Sequence, residues 1–194
     1  ECSFAGVVRA HVAAKQYGLK LIIGTEIRLD DGLKVVLLAT DRESYGHLSA
    51  LVTRGRVNAS KGSYRLARAD LGQNLDGCLA ILIPPGVREW EHEIYQHARF
   101  VAECFPYRAW IAAELLCGPN DRARLAALCA LAESTGLPLT AAGDVHMHVR
   151  SRKTLQDALT AIRLGVPVHQ AGHALHPNAE RHLRPRLRLA RIYP

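Results

Sequence analysis

Five short apolar runs recur along the chain: residues 20–26 (KLIIGTE), 34–39 (KVVLLA), 78–83 (CLAILI), 109–116 (AWIAAELL) and 138–143 (PLTAAG). They lack a strict polar and apolar alternation, which is the pattern of strands covered on both faces. Between most of them lie stretches with helical spacing. Residues 3–14 place Phe4, Val7, Val8, His11 and Val12 on helical positions, with Ser3 as N-cap and Gly18 as terminator. Residues 42–57 and about 88–104 read as helices, the latter following the Pro84-Pro85-Gly86 stop. Asn120 caps a helix to Thr135 that Gly136 closes, and residues 151–164 form a helix closed by Gly165. Strand–helix alternation with apolar strands predicts an α/β fold, a parallel sheet covered by helices. The exception is Asp31-Gly32, which sits between Arg28-Leu29 and the 34–39 run and predicts a hairpin. Residues 58–73 read as a long connection or a short insertion, five or six strands are expected in all, and the chain from Val166 onward fits neither strand nor helix clearly. No repeat or low-complexity segment interrupts this single-domain pattern.

Charge separates the end of the chain from the rest. Residues 150–194 carry nine Lys or Arg against Asp157 and Glu180, so the net charge of +7 resides there and residues 1–149 are balanced. The excess concentrates in Arg181, Arg184, Arg186, Arg188 and Arg191, a strip suited to phosphates, to an acidic partner or to solvent. No apolar run approaches the roughly 20 residues of a membrane-crossing helix, so no membrane partner is expected. There is no secretory signal, and five cysteines without a C-x-x-C fit reduced thiols in a cytoplasmic protein. The chain opens Glu1-Cys2-Ser3 without an initiating methionine, as expected of a piece of something longer.

The most informative chemistry follows the last apolar run, in Gly143-Asp144-Val145-His146-Met147-His148. If the strand continues through it, Asp144, His146 and His148 project from one face at the carboxyl end of a buried strand. Strand–helix barrels carry their working residues at that end. One carboxylate with one or two imidazoles suits Zn²⁺, Mn²⁺ or Fe²⁺. The competing reading makes Asp144 a turn cap and His146 an ordinary packed or exposed histidine. Glu26, at the polar end of its run, is either a ligand or a partner of Arg28 or Lys20. Glu114, embedded in apolar sequence, needs a metal, an arginine or backbone donors, and an ion pair is the favoured reading. His11, His47, His92 and His97 lie on helices, and His169, His173, His176 and His182 are irregularly spaced. No phosphate loop, nucleophile elbow or nicotinamide fingerprint is present. Nor is there an aspartate pair on adjoining strands for two-metal nucleotidyl transfer, so no catalytic residue is assigned and this piece is not expected to polymerise nucleotides.

Four segments resemble the polymerase-and-histidinol-phosphatase (PHP) domain of bacterial error-prone DNA polymerases, relatives of the replicative polymerase III alpha subunit. They are residues 1–11 (ECSFAGVVRAH), 21–26 (LIIGTE), 142–152 (AGDVHMHVRSR) and 177–184 (PNAERHLR). The resemblance runs over nearly the whole chain, and its last two blocks point to the error-prone branch. It implies a distorted (β/α)7-type barrel lacking its first strands over residues 1–176, and a basic extension toward the polymerase core over 177–194. It further implies a metal cluster at the strand ends, with Glu26, Asp144 and His146 as ligands and Glu1 and His148 as weaker candidates. The metal would be zinc or manganese, or none if the site is degenerate, and magnesium would serve the parent polymerase. Departures favour the degenerate site. Glu1 stands where the family has a histidine, Lys34 opens a strand where relatives often have one, and Cys117 lies near another. A lysine ammonium cannot bind metal and can neutralise carboxylates that a lost metal left behind.

The expected role is therefore a scaffold within a translesion polymerase active in DNA repair and damage-induced mutagenesis. Its partners would be the remainder of the polymerase chain, DNA through the parent protein and other damage-response accessory proteins. Arg181, Arg184, Arg186 and Arg188 are the candidate nucleic-acid contacts. The alternative is an active metal-dependent phosphoesterase or 3′-exonuclease, with Glu26, Asp144 and His146 activating water.

Overall fold

The computed structural model describes residues 1–86 and 92–193. A five-stranded open sheet runs in the order β1 (Gly24–Arg28), β2 (Lys34–Ala39), β3 (Cys78–Leu82), β4 (Ala109–Glu114) and β5 (Leu139–Ala142). β1 pairs with β2 and β2 with β3 in antiparallel register, while β3 and β4 are parallel. Because both neighbours of β2 oppose it, β1, β3 and β4 share one direction. The Asp31-Gly32 hairpin thus sets β2 as a reversed strand between β1 and β3. Asp31 builds that turn, its Oδ1 accepting the Leu33 N–H at 3.1 Å.

Seven α-helices are described: α1 (Val7–Tyr17), α2 (Arg42–Val57), α3 (Arg68–Leu71), α4 (His92–Cys104), α5 (Asp121–Thr135), α6 (Lys153–Leu164) and α7 (Arg186–Ile192). The helix expected over 88–104 is present from His92, and residues 88–91 lie outside the described residues. α1 starts later than the sequence predicts. Ser3 accepts the Ala5 N–H instead of capping a helix, and Gly6, at φ +82°, precedes the first helical residue. Gly18 terminates α1 as expected, in the left-handed region that a side chain disfavours. α2 carries a capping box: Asp41 Oδ1 accepts the Ser44 N–H at 2.8 Å, and Ser44 Oγ accepts the Asp41 N–H at 3.0 Å. The connection over 58–73 is irregular apart from α3.

The chain divides into two compact units, residues 1–112 with 128–139 and residues 113–127 with 140–194. The boundary expected at 176/177 falls inside the second. In the first unit α2 packs on β1, β2 and β3, and α4 packs on β3. Ile27, Val35, Leu37, Ala80, Leu82 and Ile111 point from the strands into a core with Leu48, Val101 and Leu131. On β4, Ile111 through Ala113 are all buried, as its continuous apolar run predicts. The extended run over 19–23 belongs to no ladder beyond the bond from the Ala39 N–H to Ile23 O. Leu21 and Ile22 are exposed there, as are Val8 and Val12 on α1. In the second unit α6 turns Thr160 and Ala161 inward and leaves Leu155, Leu159 and Ile162 exposed. Among the described residues no helix is long and apolar enough to cross a membrane, and the five cysteines form no disulfide.

Candidate functional site

β5 ends at Ala142, so the pleat expected to align Asp144, His146 and His148 does not form. Asp144 adopts φ +40°, in the left-handed region that aspartate tolerates better than most residues, and the chain leaves the sheet there. A short parallel bridge then pairs Met147 with His182. The N–H groups of His146 and Met147 both donate to Arg181 O, at 2.9 and 3.1 Å, and Leu183 N–H returns to Met147 O. This two-segment ladder lays residues 181–183 along residues 146–147.

The ladder decides which groups meet. His146 Nε2 lies 3.1 Å from Asp144 Oδ1. Arg181 Nη1 forms an ion pair with the other oxygen, Oδ2. Both side chains of that pair are sheltered, 19% and 26% exposed. Burial pushes the Arg181 guanidinium down from its ordinary value, while the charge of Glu114 pushes it back up. The His146 and His176 rings approach to 5.0 Å between centroids, and burial followed by the His146 charge pushes His176 below the ordinary imidazole value. His148 is exposed.

In the first unit, Glu26 Oε1 lies 3.0 Å from Lys34 Nζ, across the β1–β2 pair. Glu1 Oε2 accepts the Tyr64 hydroxyl at 3.1 Å, and Tyr64 in turn accepts the Arg28 N–H at 2.9 Å. Arg56 donates to the main-chain oxygens of Glu1 and Cys2. The partner of Glu26 is therefore Lys34, in place of the Arg28 or Lys20 that the sequence offered, because the antiparallel β1–β2 pairing brings Lys34 beside it.

The donor chemistry at Asp144 does not fit a divalent metal as arranged. One Asp144 oxygen faces the permanent charge of the Arg181 guanidinium, and His146 is the one imidazole beside the other, so the carboxylate lacks the open ligand set a divalent ion needs. Among the described residues no group of three or more His, Cys, Asp or Glu gathers to hold a metal ion.

The arginines expected to contact nucleic acid have internal partners in three of four cases. Arg184 donates to Leu115 O at 2.9 Å. Arg188 reaches Glu180 at 2.8 Å, Arg181 holds Asp144, and Arg186 is exposed. Sequence reasoning missed the bracing role of this segment. Asn178 donates to Leu116 O and accepts the Glu180 N–H, His182 Nδ1 donates to Ala179 O, and the Tyr193 hydroxyl joins β4 to β5. The signal available was the placing of Asn178, Glu180 and His182, which supply acceptors, among the donor-only arginines of PNAERHLR.

Comparison with known proteins places the chain beside DNA polymerases, although no family model matches it. The relatives are named error-prone DNA polymerase. One from Methylococcus capsulatus is 55% identical over 195 residues, covering 100% of this chain and 18% of the relative. One from Dechloromonas aromatica is 52% identical over 202 residues and one from Pseudomonas aeruginosa 51% over 194, again across the whole of this chain. The chain spans less than a fifth of the length of these relatives, at 18–19%.

Proposed function

We propose that this chain is the PHP-like part of an error-prone DNA polymerase that copies past damaged bases, and that it serves there as a scaffold. The observation that carries the reading is similarity at about half identity across every part of the chain to polymerases of that name. Two features support the scaffold role. The carboxylates that a metal-dependent hydrolase would use, Glu26 and Asp144, are each neutralised by a lysine or an arginine. Exposed apolar side chains on α1 and α6 are what a piece packing against a larger protein presents. The partners proposed are the rest of the polymerase chain and, through it, DNA and damage-response accessory proteins, with magnesium serving the polymerase active site.

An antibody raised against this chain tests the reading in cells of its source. The expected immunoblot shows a polypeptide roughly five times longer, as a span of 18% of the relatives requires. The precipitated polypeptide should extend a primer across an abasic template position. A band at 21.3 kDa alone would remove the polymerase reading.

A further inference from the structure

We infer that Arg181 is a built-in counter-ion at Asp144, taking the position a bound cation would hold, so that this part of the chain keeps its order without a metal. The inference deepens the scaffold reading above and rests on it only for the choice of Asp144 as a candidate ligand.

The backbone delivers Arg181 to this position. Its carbonyl accepts from both His146 and Met147, which fixes its Cα beside the loop that carries Asp144. Behind it, Asn178 and Glu180 form a tight turn, with Asn178 Oδ1 accepting the Glu180 N–H at 3.0 Å. Beyond it, Arg184 ties the segment to the carboxyl end of β4 through Leu115 O. The backbone of Arg181 is thus fixed by its own carbonyl and by anchored residues on either side of it, and its guanidinium is engaged by Asp144. A guanidinium cannot lose its charge under ordinary conditions, so the neutralisation is permanent. A divalent ion entering here would meet that fixed charge at contact distance and would have to displace it.

The same solution occurs independently at Glu26, where Lys34 comes from the neighbouring strand. In each unit a candidate metal ligand is matched with a cation of the chain itself. This differs from a merely empty metal site, in which carboxylates would repel one another and the fold would gain stability from added metal.

Metal content and a double-mutant cycle test the inference on the purified chain. Zinc and manganese are the probes, offered by equilibrium dialysis, and thermal unfolding is followed with and without chelator. The expected result is no stoichiometric uptake of either metal and a midpoint unmoved by metal or chelator. Arg181→Met should lower the midpoint by about 3–8 °C. Asp144→Asn in the Arg181→Met background should recover part of that loss, because the orphaned carboxylate is then gone. Stoichiometric zinc or manganese in the unaltered chain overturns the inference, as does an Arg181→Met midpoint equal to that of the unaltered chain. Additive effects of the two substitutions also overturn it. Any of these leaves the polymerase reading to its own test, which does not depend on metal at this site.

Discussion

Arg188 reaches back eight residues to Glu180, its Nη2 2.8 Å from Oε2 of a carboxylate only 3% exposed. Arg150 Nη2 holds the other oxygen, also at 2.8 Å. Each arginine is itself partly in solvent, so each can be lost while the other still neutralises the buried charge. Arg150→Ala or Arg188→Ala alone should cost about 1 kcal/mol. Both together leave an uncompensated buried carboxylate and should cost about 3–5 kcal/mol, more than the sum of the two. Urea unfolding of the two single variants and the double variant reads this directly; a simple sum would show that the two arginines do not substitute for each other at Glu180.

His97 links the hairpin to α4 and makes the first unit sensitive to mild acid. The side chain is buried, with Nε2 3.8 Å from Asp31 Oδ2, and Asp31 is held by Arg68 at 2.5 Å. Burial pushes the imidazole below its ordinary value of 6.5, against the pull of Asp31 and Glu93 and with the help of Arg68. The unfolded chain therefore takes up this proton more readily than the folded one. The contribution of neutral His97 is present above about pH 6.5 and is lost as pH falls through its folded value. Unfolding midpoints should decline below pH 6.5 in the unaltered chain and decline less in His97→Gln. Parallel pH profiles for the two proteins would exclude His97 as the source.

The cysteines divide by burial into those a reagent can reach and those it cannot. Cys117 and Cys129 are exposed, whereas Cys2 and Cys78 are buried. Burial pushes the Cys78 thiol up to about 11, and it pushes Cys2 and Cys104 upward as well. A thiolate is the reactive species, so both access and ionisation protect these three. Brief treatment with iodoacetamide at pH 8, followed by peptide mass mapping, should label Cys117 and Cys129 first. Fast labelling of Cys78 would mean that β3 opens on the timescale of the reaction.

β2 to β5 were legible because each lies in a run of apolar residues too short for a helix, and pairing in the sheet preserves such runs, whereas β1 falls on the polar end of its run. The helix ends were legible where glycine closes them, at Gly18 and Gly165. What escaped was set by partners distant in sequence. Residues 20–23 have the composition of a strand but form no ladder, since pairing requires a neighbour that composition does not report. The carboxylate and imidazole of Asp144 and His146 do meet, yet through a left-handed residue in place of a pleat, and a single φ leaves little trace in the sequence. The arginines from 181 onward read as a basic strip because charge arithmetic sees their sum and not their partners. In the structure Arg181, Arg184 and Arg188 face Asp144, Leu115 O and Glu180, 37, 69 and 8 residues away.

Tyr193 shows how the end of the chain stabilises the second unit. Its hydroxyl accepts the Leu115 N–H at 3.1 Å and lies 2.8 Å from Ala113 O and 2.9 Å from Ala142 O. One hydroxyl proton can serve only one of those carbonyls at a time, so the second contact is an alternative orientation of the same donor. The Leu115 N–H has no such alternative, because Leu115 is 4% exposed and water does not replace the bond. Tyr193→Phe keeps the ring, and with it the stacking of Arg184 6.0 Å from the ring centroid. The variant therefore isolates the hydroxyl and should lose about 1–3 kcal/mol, the cost of an orphaned buried donor. Amide hydrogen exchange at Leu115 should accelerate by the same free energy if the bond is what protects it. Unchanged exchange with unchanged stability would place the role of Tyr193 in ring packing alone.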